Sequence, residues 1–165
     1  MDTLSPFNPS LFKDLNVSRG LEYHYYAAPA DTGKPTLLFL HGFPSSFYDW
    51  HHQVSFFQDK GYGLIVPDML GYGGTVKLLD LEAYASSLIS KDIVNILDTE
   101  RIDQVTVVGH DWGSKIAACL VDYFPECFHA FGFLDVGYIA PIIFAALFND
   151  TMAAVSKYFT FILLN

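Results

Sequence analysis

The sequence is short of cysteines, of basic residues and of long apolar runs, and each shortage excludes a class of protein. Its 165 residues include two cysteines, Cys119 and Cys127, which are too few for a disulfide scaffold. Nine basic residues stand against 18 acidic ones, a net charge of −9, and such a surface repels the phosphates of nucleic acid. No apolar run approaches the length of a membrane span and no signal peptide is recognisable, so we expect a cytoplasmic protein.

Apolar residues are abundant and follow two periodicities. They make up 52% of the chain and charged residues 16%, a composition that excludes intrinsic disorder. Short apolar runs typical of strands alternate with segments whose apolar residues recur every three or four positions, which is typical of helices. This order predicts the α/β class, a mostly parallel sheet with helices on both faces. Strands are expected around residue 17 and at 21–27, 36–40, 63–66, 104–108 and 128–134, and helices at 46–60, 80–98 and 114–123.

The segment Gly109-His110-Asp111-Trp112-Gly113 joins a predicted buried strand to a predicted helix. Glycines on both sides of Asp111 permit a sharp turn, because larger side chains there would collide with the neighbouring strand and helix. Such a turn holds its central residue in a strained backbone conformation at the carboxyl edge of the sheet, as in a nucleophile elbow with Asp in place of Ser. Taken alone, Asp111 would fit better as a turn residue or as the N-cap of the following helix.

A second motif, His41-Gly42-Phe43-Pro44, follows an earlier predicted strand. In an elbow architecture, the N–H of the residue after the nucleophile and an N–H from this earlier loop form the oxyanion hole. Here these donors would be the backbone N–H groups of Trp112 and Phe43. The loop must turn sharply to aim the Phe43 N–H at the elbow, and we therefore expect a cis peptide bond before its proline.

Three motifs stand in the order and spacing of one known family: His41-Gly42-Phe43-Pro44, Asp68-Met69-Leu70-Gly71-Tyr72-Gly73-Gly74-Thr75 and Gly109-His110-Asp111-Trp112-Gly113. With them the chain resembles the α/β-hydrolase fold, in the branch of the epoxide hydrolases and haloalkane dehalogenases. The Phe at position 43 is more similar to the pattern of the epoxide hydrolases, since many haloalkane dehalogenases carry Asn at this position. The resemblance implies that Asp111 attacks an epoxide carbon to form an ester, which a histidine-activated water then hydrolyses. It implies a small apolar epoxide or haloalkane as substrate and no cofactor.

The chain departs from this family pattern after Asp111. His129 is the one histidine that follows Asp111, and it falls at the start of a predicted strand, at the wrong edge of the sheet. The family's catalytic histidine and the cap tyrosines that protonate the epoxide oxygen would lie beyond residue 165, and neither Tyr138 nor Tyr158 matches a family motif. We therefore expect the nucleophile and the oxyanion hole without turnover.

Other candidate residues leave alternatives open. Asp135 follows the strand expected at 128–134 and is a candidate for the acid of a catalytic triad, although a loop carboxylate fits the same pattern. Trp50 belongs either to the core or, with Phe43 and Trp112, to the substrate site. The loop from Asp68 to Gly74 is expected to be packed rather than to bind phosphate, and His41 to make hydrogen bonds within its own loop. No metal site is expected, because adjacent His51 and His52 on a helix point about 100° apart.

The organisation of the chain leaves three functions to weigh. Residues 1–140 are expected to form the amino-terminal part of a hydrolase core, truncated before the cap and the last strands, and residues 141–165 to begin a helical cap or form a truncated tail. The chain is then an incomplete enzyme, a non-catalytic binding remnant, or a fragment complemented by a partner. In each case, the strand at 128–134 would leave an exposed sheet edge through which copies of the chain could associate.

Overall fold

The computed structural model describes residues 6–135, which form six strands and three α-helices joined by short turns. The strands are β1 (Phe12–Asn16), β2 (Glu22–Ala28), β3 (Thr36–Leu40), β4 (Gly63–Pro67), β5 (Val105–His110) and β6 (Phe128–Leu134). The α-helices are α1 (His51–Gln58), α2 (Ser86–Thr99) and α3 (Trp112–Tyr123). Short 3-10 turns precede β1, α1, α2 and β6, at Pro9–Leu11, Phe47–Trp50, Leu81–Tyr84 and Pro125–Cys127 respectively.

The strands form one mixed sheet in the order β1-β2-β4-β3-β5-β6. The four strands β4, β3, β5 and β6 are parallel, and β1 and β2 add an antiparallel hairpin at one side. Strand β4 is buried along its whole length, as expected of a parallel strand covered on both faces. The predicted α/β class with a mostly parallel sheet is therefore confirmed.

Side chains of the central strands alternate between two apolar clusters, one on each face of the sheet. Leu38 and Leu40 of β3 pack on the face covered by α2 and α3, together with Ile93 and Ile116 from those helices. Phe39 of β3 points to the opposite face, where the helix α1 and the turn before it close a second cluster that contains Trp50 and Val54. Helices therefore cover both faces of the central strands.

Two helices differ from the sequence prediction in the same way. The helix expected at 80–98 is a 3-10 turn, Leu81–Tyr84, followed by α2, because Ala85 between them has an extended conformation with φ −55° and ψ 130°. The Tyr84 hydroxyl bonds both the N–H and the carbonyl of Leu78 at 3.0 Å, which ties the turn to the preceding loop. The helix expected at 46–60 likewise begins with the 3-10 turn Phe47–Trp50. Apolar periodicity does not detect such a break, since 3-10 and α turns present similar faces.

The amino-terminal hairpin is anchored to α2 by one buried carboxylate. The short strand expected around Val17 ends just before it, at Asn16, and Val17 lies in the turn. Arg19, in the same turn, donates from Nε and Nη2 to the two oxygens of Asp92 in α2, and the Tyr23 hydroxyl donates to Asp92 at 2.9 Å. Asp92 is fully buried, so these three donors compensate for the loss of its hydration.

The sheet ends at β6 within the described part of the chain, where β6 pairs only with β5. This leaves the edge that the sequence predicts, and association of copies through it stays a prediction. Residues 141–165, expected to begin a cap or form a tail, lie outside the described residues, as do Tyr138 and Tyr158. No helix between residues 6 and 135 is long and apolar enough to cross a membrane.

The Asp92 cluster generates a stability prediction. Asp92→Ala leaves the Arg19 guanidinium partly buried without its partner and should lower the free energy of unfolding by about 3–5 kcal/mol. Urea unfolding followed by circular dichroism measures this difference. The matched control is Asp98→Ala on an exposed position of the same helix, which should change stability by less than about 0.5 kcal/mol. Equal losses in the two variants would contradict the role assigned to Asp92.

Candidate active site

The carboxyl ends of the parallel strands meet at one edge of the sheet, and polar residues follow each of them. His41 follows β3, Asp68 follows β4, Asp111 follows β5 and Asp135 follows β6. Open parallel sheets bind their ligands at this edge, where the loops after the strands converge. The predicted site residues therefore lie on one side of the molecule.

Asp111 occupies a sharp turn between β5 and α3 in a conformation that side chains rarely adopt. Its φ is 53° and its ψ −121°. Such a backbone costs on the order of 1–3 kcal/mol and persists only where surrounding contacts hold it. A Cβ atom on Gly113 would come within 2.1 Å of the Leu40 carbonyl oxygen, and one on Gly109 within 2.5 Å of the Gly113 carbonyl oxygen. The close packing predicted for the two flanking glycines is confirmed.

The Asp111 side chain does not cap the helix that follows it. No capping hydrogen bond joins its carboxylate to α3. Instead, Asp111 Oδ1 accepts a hydrogen bond of 2.8 Å from the backbone N–H of Phe43, a residue 68 positions earlier in the chain. This bond lowers the pKa of the Asp111 carboxyl below its ordinary value, and the backbone N–H of Trp112 acts in the same direction. The carboxylate is therefore ionised at neutral pH, with one oxygen held by the backbone.

The loop after β3 approaches Asp111 so closely that its second residue must be glycine. A Cβ atom on Gly42 would lie 2.3 Å from Asp111 Oδ1 and 2.5 Å from Asp111 Cβ. The peptide bond between Phe43 and Pro44 is cis, as the sequence predicts. The Phe43 side chain points away from the core and is 65% exposed, so the contribution of Phe43 to Asp111 comes from its backbone.

Buried polar groups behind the site hold its loops together. The Asp68 carboxylate is fully buried and accepts hydrogen bonds from the N–H groups of Phe47 and Gly74, at 2.9 and 2.7 Å. His41 Nε2 accepts from the Met69 N–H at 2.9 Å, and its Nδ1 lies 3.0 Å from the Gly42 carbonyl oxygen. Since Nε2 accepts, His41 is neutral with its proton on Nδ1, and burial lowers its pKa accordingly. The packed loop and the structural His41 both agree with the sequence interpretation.

A cavity of about 200 Å³ opens beside Asp111 between the loop after β4 and the first turns of α2 and α3. Gly42 and Trp112, which neighbour Asp111, are among its lining residues. Its walls are mainly apolar, with contributions from Met69, Leu70, Tyr72, Tyr84, Ile89 and Ile116. Lys115 also lines it and places its Nζ over the Trp112 ring, 4.8 Å from the centroid. Neither Tyr72 nor Lys115 was predicted from the sequence, because a motif shows that a loop is packed but not which of its side chains faces a cavity.

The other predicted site residues lie around this arrangement without joining it. Trp50 is 4% exposed, packs 4.8 Å from the Phe39 ring and lines a second cavity of about 300 Å³ with His110 and Leu134. Asp135 has a φ of 72° and makes no hydrogen bond or ion pair with the residues from 6 to 135. His129 is exposed at the start of β6, and within the described range it does not reach Asp111.

Potential metal ligands do not gather in this part of the molecule. Between residues 6 and 135, no group of three His, Cys, Asp or Glu side chains is close enough to hold a metal ion. The site described here consists of a carboxylate, two backbone N–H groups and a mainly apolar cavity.

Comparison with known proteins assigns the fold. A profile of the alpha/beta hydrolase fold family matches residues 35–155. The chain is 38% identical over 122 residues to epoxide hydrolase 3 of Siraitia grosvenorii, covering 74% of this chain and 38% of that protein. It is 39% identical over 100 residues to epoxide hydrolase B of Mycobacterium tuberculosis, covering 60% of this chain and 28% of the relative.

Solved structures give the same relationship in three dimensions. The crystal structure of an epoxide hydrolase from Vigna radiata superposes with a TM-score of 0.72 at 30% identity, over 80% of this chain and 41% of that one. An epoxide hydrolase from an endophytic Streptomyces superposes with a TM-score of 0.71 at 33% identity, over 78% and 38%. The aligned part of this chain thus spans less than half the length of these relatives. By its sequence and by its fold, the chain belongs to the alpha/beta hydrolase fold family, in the branch of the epoxide hydrolases.

Proposed function

We propose that this chain carries the nucleophile of an epoxide-hydrolase-like enzyme, with Asp111 as the residue that attacks the substrate. The hydrogen bond from the Phe43 N–H to Asp111 Oδ1 carries this proposal. It fixes one carboxylate oxygen and leaves Oδ2 to act as the nucleophile. A carboxylate with a lowered pKa is ionised at neutral pH and needs no general base for the attack.

The backbone N–H groups of Phe43 and Trp112 would also stabilise the second step, hydrolysis of the ester. After Oδ2 has formed an ester, Oδ1 is its carbonyl oxygen and keeps its hydrogen bond to the Phe43 N–H. When water attacks this carbonyl, negative charge develops on Oδ1, which already accepts from the Phe43 N–H, and the Trp112 N–H would be the second donor. Preorganised donors of this kind are worth several kcal/mol in acyl transfer. These residues would therefore form the elbow and oxyanion hole that the sequence predicts.

We propose a small apolar epoxide as the substrate. The relatives named above are epoxide hydrolases, and the cavity beside Asp111 has mainly apolar walls. Phe43 offers no side-chain amide to hold a leaving halide, which makes a haloalkane the second choice.

Hydrolysis of the ester needs a base that the described residues do not place at Asp111. His41 is neutral and bonded through both ring nitrogens, and it packs behind the loop. His129 lies exposed at the start of β6, whereas Asp111 follows the end of β5. We propose that residues 6–135 support ester formation and that hydrolysis depends on groups outside them, with Asp135 as a candidate to orient the base.

Covalent labelling tests this proposal directly. The 165-residue chain, incubated with a small reactive epoxide or with an alkyl halide, should gain the mass of one hydroxyalkyl group or one alkyl group, respectively, on the peptide that contains Asp111. Asp111→Asn should not gain it, because the amide is a far weaker nucleophile of nearly the same shape. Intact mass spectrometry followed by peptide mapping measures the adduct.

The competing outcomes of that experiment are distinct. Burial raises the pKa of Cys119 and Cys127, so their thiols should react slowly, and an adduct on either of them would oppose the proposal. A folded chain without any adduct at Asp111 would favour a non-catalytic binding role. Sustained diol release by the chain alone, lost in Asp111→Ala, would show that the base lies within it and would overturn the division between the two half-reactions.

The close approach of Gly42 to Asp111 gives a prediction that does not require substitution of Asp111 itself. Gly42→Ala adds a methyl group where the Asp111 carboxylate lies and should displace it from the Phe43 N–H. We expect the rate of adduct formation to fall by about 100-fold, since a displacement of this size misplaces the nucleophile. The control is Gly132→Ala in β6, where the nearest neighbour of the new Cβ atom, Val108, is at 3.5 Å. Unchanged labelling in Gly42→Ala would contradict the geometry of the site.

A further inference from the structure

We propose that Lys115 gives the cavity beside Asp111 a preference for short epoxides that carry a carboxylate. The Lys115 ammonium would bind this carboxylate while Asp111 attacks the epoxide. The inference rests on the proposed function of Asp111 and narrows the substrate of the same site. Lys115 lies outside the three sequence motifs, in the helix that follows Asp111.

Lys115 differs from the other residues of the cavity in its charge. Among the residues from 6 to 135 that line the cavity, only Lys115 is charged, since His41 is neutral and the rest are apolar or uncharged. Small-molecule sites are typically apolar, with a few polar groups that fix the orientation of the ligand. A single ammonium among apolar walls is such a group, and it matches a ligand with one negative charge.

The position of Lys115 places its ammonium at the end of α3 that follows Asp111. Lys115 is in the fourth position of α3, and its Nζ lies over the Trp112 ring, 4.8 Å from the centroid. Its side chain therefore lies back along the helix towards the first residue, as helical side chains commonly do. Trp112 directly follows Asp111, and Gly42, which also lines the cavity, packs against the Asp111 carboxylate. The ammonium and the residues around the nucleophile thus meet at one cavity.

The ammonium has no anionic partner in the described part of the chain. The ion pairs between residues 6 and 135 include neither Lys115 nor Asp111. The first turn of α3 contains no acidic residue. A cation near the start of a helix is repelled by the helix dipole, whereas an anion there is stabilised. A carboxylate bound at Lys115 would therefore find both an unpaired ammonium and a favourable helix end.

A purely structural role for Lys115 makes a different prediction. Lysines often extend along an apolar surface and keep the ammonium in water, and the Trp112 ring is such a surface. That role gives no preference between a charged and a neutral ligand of the same shape. The chain as a whole has a net charge of −9 and repels anions, so a preference for an anion would have a local origin.

The favoured substrate has its epoxide and its carboxylate at opposite ends of a short hydrocarbon. The cavity measures about 200 Å³, and the side chains of Leu70, Ile89 and Ile116 suit the hydrocarbon between the two groups. In the reaction, Asp111 Oδ2 bonds to an epoxide carbon, the bond from this carbon to the ring oxygen breaks, and the oxygen takes a proton from water. The carboxylate stays unchanged, so Lys115 selects and orients the substrate without taking part in the bond changes.

A pair of epoxides of nearly the same shape tests the preference: an epoxyhexanoate with a terminal epoxide, and its amide. The rate of Asp111 labelling by each is measured by mass spectrometry for the 165-residue chain and its variants. In Lys115→Met, the ratio of the carboxylate rate to the amide rate should fall about 5- to 10-fold, as expected for loss of a charged partner that is half-buried. Lys115→Arg keeps the charge and should keep most of the ratio. The control is Lys91→Met, at an exposed position of α2, which should leave the ratio unchanged.

Two results of the labelling experiment would overturn the inference. An unchanged ratio in Lys115→Met would leave Lys115 only its contact with the Trp112 ring. An equal fall in Lys115→Arg and Lys115→Met would show that the shape of the lysine matters and its charge does not.

Binding of unreactive hexanoate separates this inference from the proposed function. It is followed by NMR at the Trp112 indole N–H, with hexanamide as the neutral control. Hexanoate should bind the unaltered chain more tightly than hexanamide does, and Lys115→Met should remove the difference. If neither epoxide labelled Asp111 while this difference was observed, the proposed function would fail and the role of Lys115 would stand. If the amide labelled Asp111 but hexanoate bound no better than hexanamide, the role of Lys115 alone would fail.

Discussion

The hydrogen bond between the Phe43 N–H and Asp111 Oδ1 is the contact on which the geometry of the site depends. It joins the loop after β3 to the turn after β5, and both backbones must approach closely for it to form. Gly42 and Gly113 have no side chains because the Asp111 carboxylate and the Leu40 carbonyl occupy the space. The strained backbone of Asp111 persists because these contacts fix it from both sides.

The neighbouring buried groups stabilise this contact from behind. Asp68 accepts N–H groups from Phe47 and Gly74, and neutral His41 accepts a third from Met69, so the connections after β3 and after β4 share one polar centre. Such a centre is stable in the interior only when its donors and acceptors are satisfied, and within the described residues these are. These bonds hold the loops that meet Asp111, and Tyr72 on one of them lines the cavity.

Sequence motifs predicted the parts of this site that depend on local backbone shape. The sharp turn at Asp111 was predicted from its flanking glycines, and the cis peptide bond from Pro44. The parallel strands were predicted from short apolar runs that alternate with helical segments. The break at Ala85 was missed because alanine favours a continuous helix, and its extended conformation comes from the surrounding turn. Tyr72 was missed because the motif shows that its loop is packed but not which of its side chains line the cavity. Trp50 illustrates the same limit, since its cavity is a separate one on the other side of His41.

The central claim, that backbone N–H groups hold an ionised Asp111, is tested by NMR titration of the full chain. The Phe43 amide proton should shift with pH at a midpoint below 3.8, the ordinary value of the aspartate pKa, and in Asp111→Asn this shift should vanish. Because the pKa of Asp111 is lower in the folded chain, the bond stabilises the fold fully at pH values above the ordinary aspartate pKa. This contribution is lost as the pH falls through the midpoint. A midpoint at or above 3.8 would contradict the account, and so would a Phe43 amide proton whose chemical shift does not change when Asp111 ionises.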